Sequence, residues 1–418
     1  MLRNPIPLQS AIKLTMEHTP LMAAEEVSLS DSYRRILAEP IIAKHNIPPF
    51  NRAPYDGFAI RSQDSAQASE QHRVVFRVVD HIGAGSLSNK PLEQGEAVRI
   101  MTGAAMPDHA DAVVMLEQAK LIESENSFTI RKSFRPQENV SLKGEDASVG
   151  KVLLEAGEQI DPGTIALLAT LGYSKVKVAK RPVVGIIATG SELLNIDEPL
   201  VAGKIRNSNG PMLEAQLDRM NIPFLSYGKM NDQLEDCYHR MKQALTETDC
   251  LITTGGVSVG DFDYLPAIYE KLGAKVLFNK IAMRPGSVTT LAVLEGKLLF
   301  GLSGNPSACY TAFELFTRPA LLGMMGASKP YLCHTKAELS EDFTKANPFM
   351  RFIRSRISYA EGRAFVAPTG FNKSNAVTSL AKANALIVLP GGSRGFTKGD
   401  VVDVLLLGTE DGGREWKI

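Results

Sequence analysis

Glycine-rich segments that also carry hydroxyl side chains recur through the middle of the chain. They occupy residues 189–192, 254–263, 284–287 and 303–307. Glycine lets backbone N–H groups approach an anion closely, and the N-terminus of a following helix adds partial positive charge. Any one segment could equally be a strand-to-helix turn whose backbone angles require glycine. The four together predict a site for a ligand with several phosphate groups.

Acidic residues accompany these segments. Glu192, Asp232, Asp261 and Asp263 fall at or just beyond predicted strand ends, where a carboxylate would repel an anionic ligand. A divalent cation resolves this conflict, because Mg²⁺ binds one or two carboxylates together with phosphate oxygens. Two alternatives stay open: Asp232 is also suited to cap a helix, and Asp261 and Asp263 could cap a helix that begins near Tyr264.

Two further segments, residues 51–59 and 99–104, have the turn chemistry of loops and more functional side chains than connectors need. They contain Asp56 and Thr102. The seven histidines are scattered and none lies in a glycine-rich segment, which disfavours acid–base catalysis by histidine. Positioning and electrostatic stabilisation of the substrate are the favoured chemistry.

Strand-like and helix-like patterns alternate regularly between residues 181 and 327. Apolar runs of strand length cover residues 183–188, 224–227, 250–253, 275–278 and 298–302, and helices such as 232–247 lie between them. The alternation predicts a parallel sheet with crossover helices. In such a sheet ligands bind beyond the carboxyl ends of the strands, which is where the glycine-rich segments fall.

The flanking regions have other patterns. Helices are predicted from Leu8, over residues 30–38, and over residues 162–171 with an end at Gly172. Short β-type runs fill residues 48–133, and strand-length runs with turn signals follow residue 330. The predicted fold is a multidomain α/β protein with a helical and mixed arm (residues 1–47 plus 144–180), an inserted mainly-β domain (48–143), a central parallel-sheet α/β domain (181–328) and a C-terminal small β-barrel (329–418).

Composition limits the classes of partner. The chain has 418 residues, with 46 Lys plus Arg and 46 Asp plus Glu, so no global field attracts nucleic acid or an anionic membrane. Apolar runs are far shorter than the roughly 20 residues that cross a bilayer, and the N-terminus has no apolar core or cleavage site of a signal peptide. We expect a cytoplasmic protein with a small substrate and reduced, packed cysteines.

Seven motifs, taken together, resemble the MoeA family of molybdopterin molybdenumtransferases, which is related to the gephyrin E domain. They are residues 55–59, 99–103, 144–146, 189–193, 255–263, 284–286 and 304–306. The resemblance runs in order from about residue 8 to residue 404. One motif alone would not be specific, but seven in order are.

The resemblance implies a cytoplasmic homodimer of four-domain subunits in which residues 1–47 plus 144–180 form a dimerisation arm. Such an enzyme inserts molybdate into adenylylated molybdopterin and releases AMP in a Mg²⁺-dependent step, which produces the molybdenum cofactor. The active site would be shared between subunits, so that Asp56 and Thr102 act in trans. An adenylyltransferase partner would deliver the substrate, and neither nucleic acid nor membrane is involved.

The resemblance also assigns roles by position. The implied catalytic residues are Asp263, Asp232, Glu192 and Asp56, and the implied metal ligands are Asp261 and Asp263. The implied substrate-binding residues are Thr102, Thr189, Gly190, Gly255, Gly256, Ser258, Arg284, Pro285, Gly286, Asn305 and Ser307, with Arg354 and Ser374 on the side that holds the oxyanion.

Three departures from the family pattern affect this assignment. Arg284 and Ser287 stand where a lysine pair is usual, so one cation is replaced and the other is lost; Lys280 could supply the missing charge. Ser191 replaces an acidic residue, and Ser303 replaces a proline.

Two other functions compete with this interpretation. The central domain alone also resembles the molybdopterin adenylyltransferase (MogA/MoaB-like) domain, which would consume ATP. The whole chain could instead be a non-catalytic dimeric scaffold, a role that the gephyrin relative also has.

Overall fold

The structure is a computed structural model that describes residues 4–230, 233–256, 264–345 and 348–408. Internal packing divides the chain into two units. The β unit contains Pro40–Glu155 and Ala166–Tyr173, and the α/β unit contains Met1–Glu39, Ala156–Ile165 and Ser174–Ile418. The four-domain division stays a prediction.

The elements are numbered in chain order. The strands are β1 (Ala24–Ser28), β2 (Ile41–Ile42), β3 (Gly57–Ile60), β4 (Val74–Ile82), β5 (Glu96–Ile100), β6 (Ala112–Met115), β7 (Lys120–Ile122), β8 (Ser127–Ile130), β9 (Val152–Leu154), β10 (Lys175–Ala179), β11 (Val184–Thr189), β12 (Leu193–Leu194), β13 (Ile205–Arg206), β14 (Phe224–Met230), β15 (Cys250–Thr254), β16 (Lys275–Phe278), β17 (Met283–Arg284), β18 (Thr290–Leu294), β19 (Lys297–Leu302), β20 (His334–Leu339), β21 (Met350–Ala360), β22 (Arg363–Pro368), β23 (Ala385–Leu389) and β24 (Val401–Leu406). The α-helices are α1 (Leu8–Glu17), α2 (Pro162–Thr170), α3 (Asn209–Arg219), α4 (Leu234–Glu247), α5 (Leu265–Leu272), α6 (Pro306–Ala312) and α7 (Arg318–Met324), and a π-helical segment, Phe313–Thr317, joins the last two.

The central sheet of the α/β unit has the strand order β14-β11-β15-β19-β18-β16. Strands β14, β11, β15 and β19 are parallel neighbours, as predicted. Strand β18 runs antiparallel to both β19 and β16, and the sequence patterns did not identify it. It forms a hairpin with β19 through Glu295 and Gly296, which both have positive φ.

Successive residues of the central strands face opposite layers of core. Ile186, Ile252 and Phe300 pack in one cluster with α3 and the helices after β19. Ile187, Leu251 and Leu299 pack in a second cluster with α4 and α5. Because both faces are covered, these strands are apolar throughout rather than alternating.

The predicted C-terminal barrel is confirmed. Strands follow the order β21-β22-β20-β24-β23, and pairing of β21 with β23 closes the cylinder. The turn signal at Glu361 and Gly362 joins β21 to β22, with positive φ at both residues. Strand β17, from the connection that follows β16, pairs with β21 and ties the barrel to the loops of the central sheet.

The β unit contains a six-stranded sheet in the order β6-β3-β5-β4-β8-β7. Four predicted β-type runs correspond to β4, β5, β6 and β8. Residues 51–59 were predicted as a loop, but β3 begins at Gly57 and lies between β5 and β6. A Cβ at Gly57 would come within 2.0 Å of the Val114 carbonyl oxygen, so this glycine permits close strand pairing rather than a turn.

The helix predictions have mixed outcomes. Helices α1 and α2 are confirmed, and Gly172 follows α2 with positive φ. The helix predicted over residues 30–38 is wrong: a short 3₁₀ turn, Leu29–Asp31, is followed by a left-handed residue, Arg34, and by bridges from Ile36 and Leu37 to other segments. Tertiary pairing of the backbone at these two residues overrides the helical spacing.

Two composition-based expectations concern the cysteines and the membrane. Cys237, Cys250 and Cys309 are buried in the α/β unit, and Cys333 is exposed. Burial raises the pKa of the Cys250 and Cys309 thiols, which keeps them protonated and suited to packing. Over the ranges that the structure describes, no helix combines the length and apolar character needed to span a bilayer.

An aromatic stack should dominate the stability of the β unit. The Phe128 ring lies 4.0 Å from the Phe58 ring and 5.5 Å from the Phe76 ring, measured between centroids, and all three are buried. Phe128→Ala should lower the free energy of unfolding by about 3–5 kcal/mol, because it removes this packing and leaves a cavity. Chemical denaturation checks this, with Val75→Ala, at an exposed side chain, as the control. Equal effects of the two changes would contradict the prediction.

Candidate functional site

The ends of three neighbouring strands meet at one edge of the central sheet, here called the rim (residues 189–192, 254–256 and 303–305). The Thr189 hydroxyl donates to the Thr254 carbonyl at 3.1 Å, and the Gly255 N–H donates to the Leu302 carbonyl at 3.1 Å. These bonds join the segments that follow β11, β15 and β19. The predicted convergence of the glycine-rich loops is therefore present among the described residues.

Close backbone approach explains the glycine at the centre of the rim. Gly255 has φ +85°, and a Cβ there would lie 2.4 Å from the Thr189 carbonyl oxygen. Gly304 would place a Cβ 3.5 Å from the Gly255 Cα. Glycine at these positions allows three backbone segments to pack together.

Glu192 supplies a carboxylate at the rim. It follows β11, is exposed, and folds back on Gly190, where a Cβ would come within 2.6 Å of a Glu192 carboxylate oxygen. Gly190 has φ +146°. The lack of a side chain at Gly190 therefore permits this position of the Glu192 carboxylate.

A cavity of about 560 Å³ lies beside the rim. This rim cavity is lined by residues 284–288, by Ser303, Asn305 and Ala308, by Arg351 and Phe352 of β21, and by residues 372–375. Its described lining includes three cationic residues, Arg284, Arg351 and Lys373, and no Asp or Glu. Serine hydroxyls and asparagine amides complete a wall suited to an oxyanion.

The loop at residues 369–379 forms one wall of the rim cavity and is held from two sides. At the start of α6, the buried Ser307 donates its backbone N–H to the Ser374 carbonyl at 3.0 Å and its hydroxyl to the Ala376 carbonyl. From β21, Arg354 donates to the carbonyls of Phe371 and Lys373 at 3.2 and 3.1 Å. The loop is thus fixed to both the central sheet and the barrel.

Arg354 lies beneath this loop. It is 1% exposed, and its Nε also donates to the Ser379 hydroxyl at 3.1 Å. Burial, and to a lesser extent the charge of Arg351, lowers the pKa of Arg354 to about 10, so it stays a cation at neutral pH. The observed bonds make Arg354 and Ser307 positioning residues for the loop, whereas Ser374 itself lines the cavity.

A separate pair of site residues lies in the β unit. Asp56 precedes β3 and Thr102 follows β5, and the two antiparallel strands bring them together. The Asp56 carboxylate accepts from the Thr102 N–H at 2.7 Å and from the Thr102 hydroxyl at 2.8 Å. These two hydrogen bonds lower the pKa of Asp56, with a smaller contribution from Arg99. Asp56 is therefore an exposed, fixed carboxylate.

The remaining predicted residues divide between the rim, the cavity and the undescribed segments. Thr189, Gly190, Glu192, Gly255 and Gly256 lie at the rim, and Arg284, Pro285, Gly286 and Asn305 line the cavity. Asp232, Ser258, Asp261 and Asp263 lie outside the described residues.

The structure also adds two residues that the sequence analysis missed. Arg351 and Lys373 line the cavity, whereas Lys280 is not among its described lining residues. No local motif marks Arg351 or Lys373, because their positions depend on how the barrel meets the sheet.

The predicted metal ligands, Asp261 and Asp263, fall in an undescribed segment. Within the described ranges, no three His, Cys, Asp or Glu side chains form a metal-binding group. Mg²⁺ needs only one or two carboxylates when substrate phosphates supply other oxygens. The exposed Glu192 carboxylate supplies one oxygen donor of this kind at the rim.

Comparison with known proteins identifies the family. The MoeA N-terminal region (domain I and II) matches residues 6–172, a probable molybdopterin binding domain matches residues 185–323, and the MoeA C-terminal region (domain IV) matches residues 336–407. A molybdopterin molybdenumtransferase of Staphylococcus aureus (strain MSSA476) is 55% identical over 404 residues, 97% of this chain and 96% of its own length. The chain belongs to the MoeA family.

Other relatives of this chain support the same family assignment. A molybdopterin molybdenumtransferase of Staphylococcus epidermidis is 54% identical over the same coverage. The crystal structure of a molybdopterin biosynthesis MoeA protein from Pyrococcus horikoshii OT3 is 31% identical and covers 96% of this chain and 100% of its own, with a TM-score of 0.83. The α/β fold class with its terminal barrel is therefore that of the MoeA family.

Steric crowding at the rim generates a mutational prediction. Gly255→Ala should destabilise the protein and disturb the rim, because the new Cβ would clash with the Thr189 carbonyl. Gly203→Ala is a matched control: Gly203 has φ +78°, close to the +85° of Gly255, but a Cβ there would have no atom within 4 Å. Both changes should cost about 1 kcal/mol for the backbone conformation. We expect Gly255→Ala alone to lose additional stability, which thermal unfolding measures. Equal losses of stability in the two variants would contradict the predicted clash.

Proposed function

We propose that this MoeA-family chain inserts molybdate into adenylylated molybdopterin, releases AMP and so produces the molybdenum cofactor. The observation that carries the proposal is the rim cavity, which places three cations beside the glycine-rich rim and has no acidic side chain in its described lining. Relatives that match nearly the full chain have the name molybdopterin molybdenumtransferase. An anion-binding rim beside an oxyanion cavity suits a substrate with a diphosphate and a second substrate that is a tetrahedral dianion.

The residues divide into binding and catalytic groups in this proposal. Backbone N–H groups of the rim hold the diphosphate, while Arg284 and neighbouring hydroxyls of the cavity hold molybdate. Each dithiolene sulfur of the pterin bonds to molybdenum in place of an oxo group, which takes up two protons and leaves as water. A further water cleaves the phosphoanhydride, so that AMP leaves. Glu192, Asp232, Asp263 and Asp56 are proposed to orient the reacting groups and to hold or move protons.

A magnesium ion is part of the proposal. Asp261 and Asp263 would hold it. When bound, Mg²⁺ would neutralise the phosphate oxygens and stabilise the charge that develops as AMP leaves. By resemblance to the MoeA family, we expect this reaction in the cytoplasm, with an adenylyltransferase partner that delivers the substrate.

We also propose that the enzyme is a homodimer with a shared active site. Asp56 is fixed by Thr102 at an exposed position of the β unit, where its carboxylate can reach a ligand held by another chain. Asp56 and Thr102 of one subunit would complete the site formed by the rim and cavity of the other.

Turnover of the purified protein tests the proposed reaction. With adenylylated molybdopterin, molybdate and Mg²⁺, the protein should release AMP without consuming ATP. Glu192→Gln should lower the rate by about 100-fold or more, because it removes a carboxylate charge at the rim. The control Glu270→Gln alters an exposed residue near the end of α5 and should leave turnover intact. ATP-dependent adenylylation without molybdate insertion would instead indicate an adenylyltransferase.

Mixing two inactive variants tests the shared site. Asp56→Asn and Glu192→Gln homodimers should each be inactive. A heterodimer would contain one site with both changes and one site with neither. Random reassociation should therefore restore about a quarter of wild-type activity, since half of the dimers are mixed and each has one intact site. If Asp56 and Glu192 act within one subunit, the mixture should stay inactive.

A further inference from the structure

Two arginines of like charge lie opposite each other on neighbouring strands. Arg284 of β17 and Arg351 of β21 are register partners in a parallel pair, and both residues line the rim cavity. Like charges at directly opposed positions of a sheet are destabilising. Burial, and then the charge of Arg284, lowers the pKa of Arg351, as expected when two cations share a partly enclosed space.

A third cation reaches the cavity from the loop at residues 369–379. The backbone of Lys373 is fixed, because its carbonyl accepts from the buried Arg354 at 3.1 Å and from the Ala376 N–H at 3.1 Å. Its side chain is exposed and lines the cavity, with Nζ 5.3 Å from the Phe371 ring centroid. Lys373 is thus a flexible ammonium on a fixed backbone, a suitable donor for a small anion.

The charge balance of the cavity points to a ligand. Arg284, Arg351 and Lys373 all line it, the described lining has no Asp or Glu, and Ser287 is a neutral member of the same wall. The two guanidinium groups lie over aromatic rings, that of Arg284 5.9 Å from the Phe349 centroid and that of Arg351 5.0 Å from the Phe343 centroid. A doubly charged tetrahedral oxyanion would relieve the repulsion among these side chains and accept their N–H groups. An uncharged or cationic ligand would not.

We infer that Arg351 and Lys373 bind the oxyanion substrate and supply the positive charge that Ser287 does not. The inference rests on the proposed function, in which molybdate is that oxyanion, and assigns two further residues to its site. Lys280, the other candidate for this charge, is not among the described residues that line the cavity. Its backbone carbonyl accepts from Ile6 N–H at 3.1 Å.

Titration of the full-length protein with sodium molybdate, followed by calorimetry, tests this inference independently of turnover. Arg351→Gln should raise the molybdate Kd about tenfold, as for loss of a charged hydrogen-bond donor in a partly buried site. Lys373→Gln should raise it about threefold, since its side chain is exposed and solvent screens its charge. The matched controls are Arg356→Gln, exposed on the same strand, and Lys382→Gln, exposed beyond the loop; both should bind as wild type does.

A double variant that restores the lost charge provides a second test of the inference. Ser287→Lys introduced into Lys373→Gln should return the Kd to within about twofold of wild type, because it restores a cation to the same cavity. A merely structural role for Lys373 would not be rescued in this way. Thermal unfolding of each variant identifies folding defects, and the exposed Lys373 keeps the test decisive even if Arg351→Gln fails to fold.

The outcomes separate this inference from the proposed function. If wild-type protein binds molybdate and releases AMP while both variants keep the wild-type Kd, the inference is overturned and the proposed function stands. If wild-type protein binds molybdate more tightly than the two variants yet releases no AMP, the oxyanion residues stand and the proposed reaction is rejected. If wild-type protein does not bind molybdate, both are rejected.

Discussion

The rim depends on the close approach of the backbones of β11 and β15 where the two strands end. The Thr189 carbonyl occupies the space that any side chain at residue 255 would fill, and the Thr189 hydroxyl bonds to the adjacent Thr254 carbonyl. This contact draws the loop after β15 towards the loops after β11 and β19. Without it, the three loops would end at separate points of the sheet edge.

The second constraint joins the barrel to this edge. Strand β17 extends the connection after β16 into the barrel by pairing with β21, and Arg354 and Ser307 hold the loop at residues 369–379 from opposite sides. Arg354 uses its charge to bind backbone carbonyls rather than to face the cavity. A buried guanidinium that satisfies several acceptors can fix a loop in this way, because leaving either partner unpaired would carry a large desolvation cost.

Much of the α/β architecture could be predicted from the sequence, because its central strands are continuous apolar runs between helices. The segments at residues 250–253 and 275–278 coincide with β15 and β16, or nearly so. Strand β18 was missed because it is a hairpin partner in a region that otherwise alternates strand and helix. The sequence pattern places residues 57–59 in a loop and Ile36 and Leu37 in a helix, because single-segment patterns do not contain the partner strand that decides the conformation.

Some residues of the site could be predicted from the sequence and others could not, for a related physical reason. Glycine-rich loops mark the rim directly, since their composition reflects a local backbone demand. Arg351 and Lys373 have no such mark: an arginine in a strand and a lysine in a loop are ordinary surface residues until the barrel places them beside Arg284. Asp232, Ser258, Asp261 and Asp263 remain predictions from sequence, because they lie outside the described residues.

The pairing of β17 with β21 has a consequence for which parts of the chain form the rim and which form the cavity. The amides of the rim come from residues 189–305, whereas two of the three cations of the cavity come from residues 351–373. A shorter chain that ended before β20 would keep the rim and lose two of the three cationic residues of the cavity. Truncation can therefore separate the rim from the cavity, because only the cavity draws residues from the barrel.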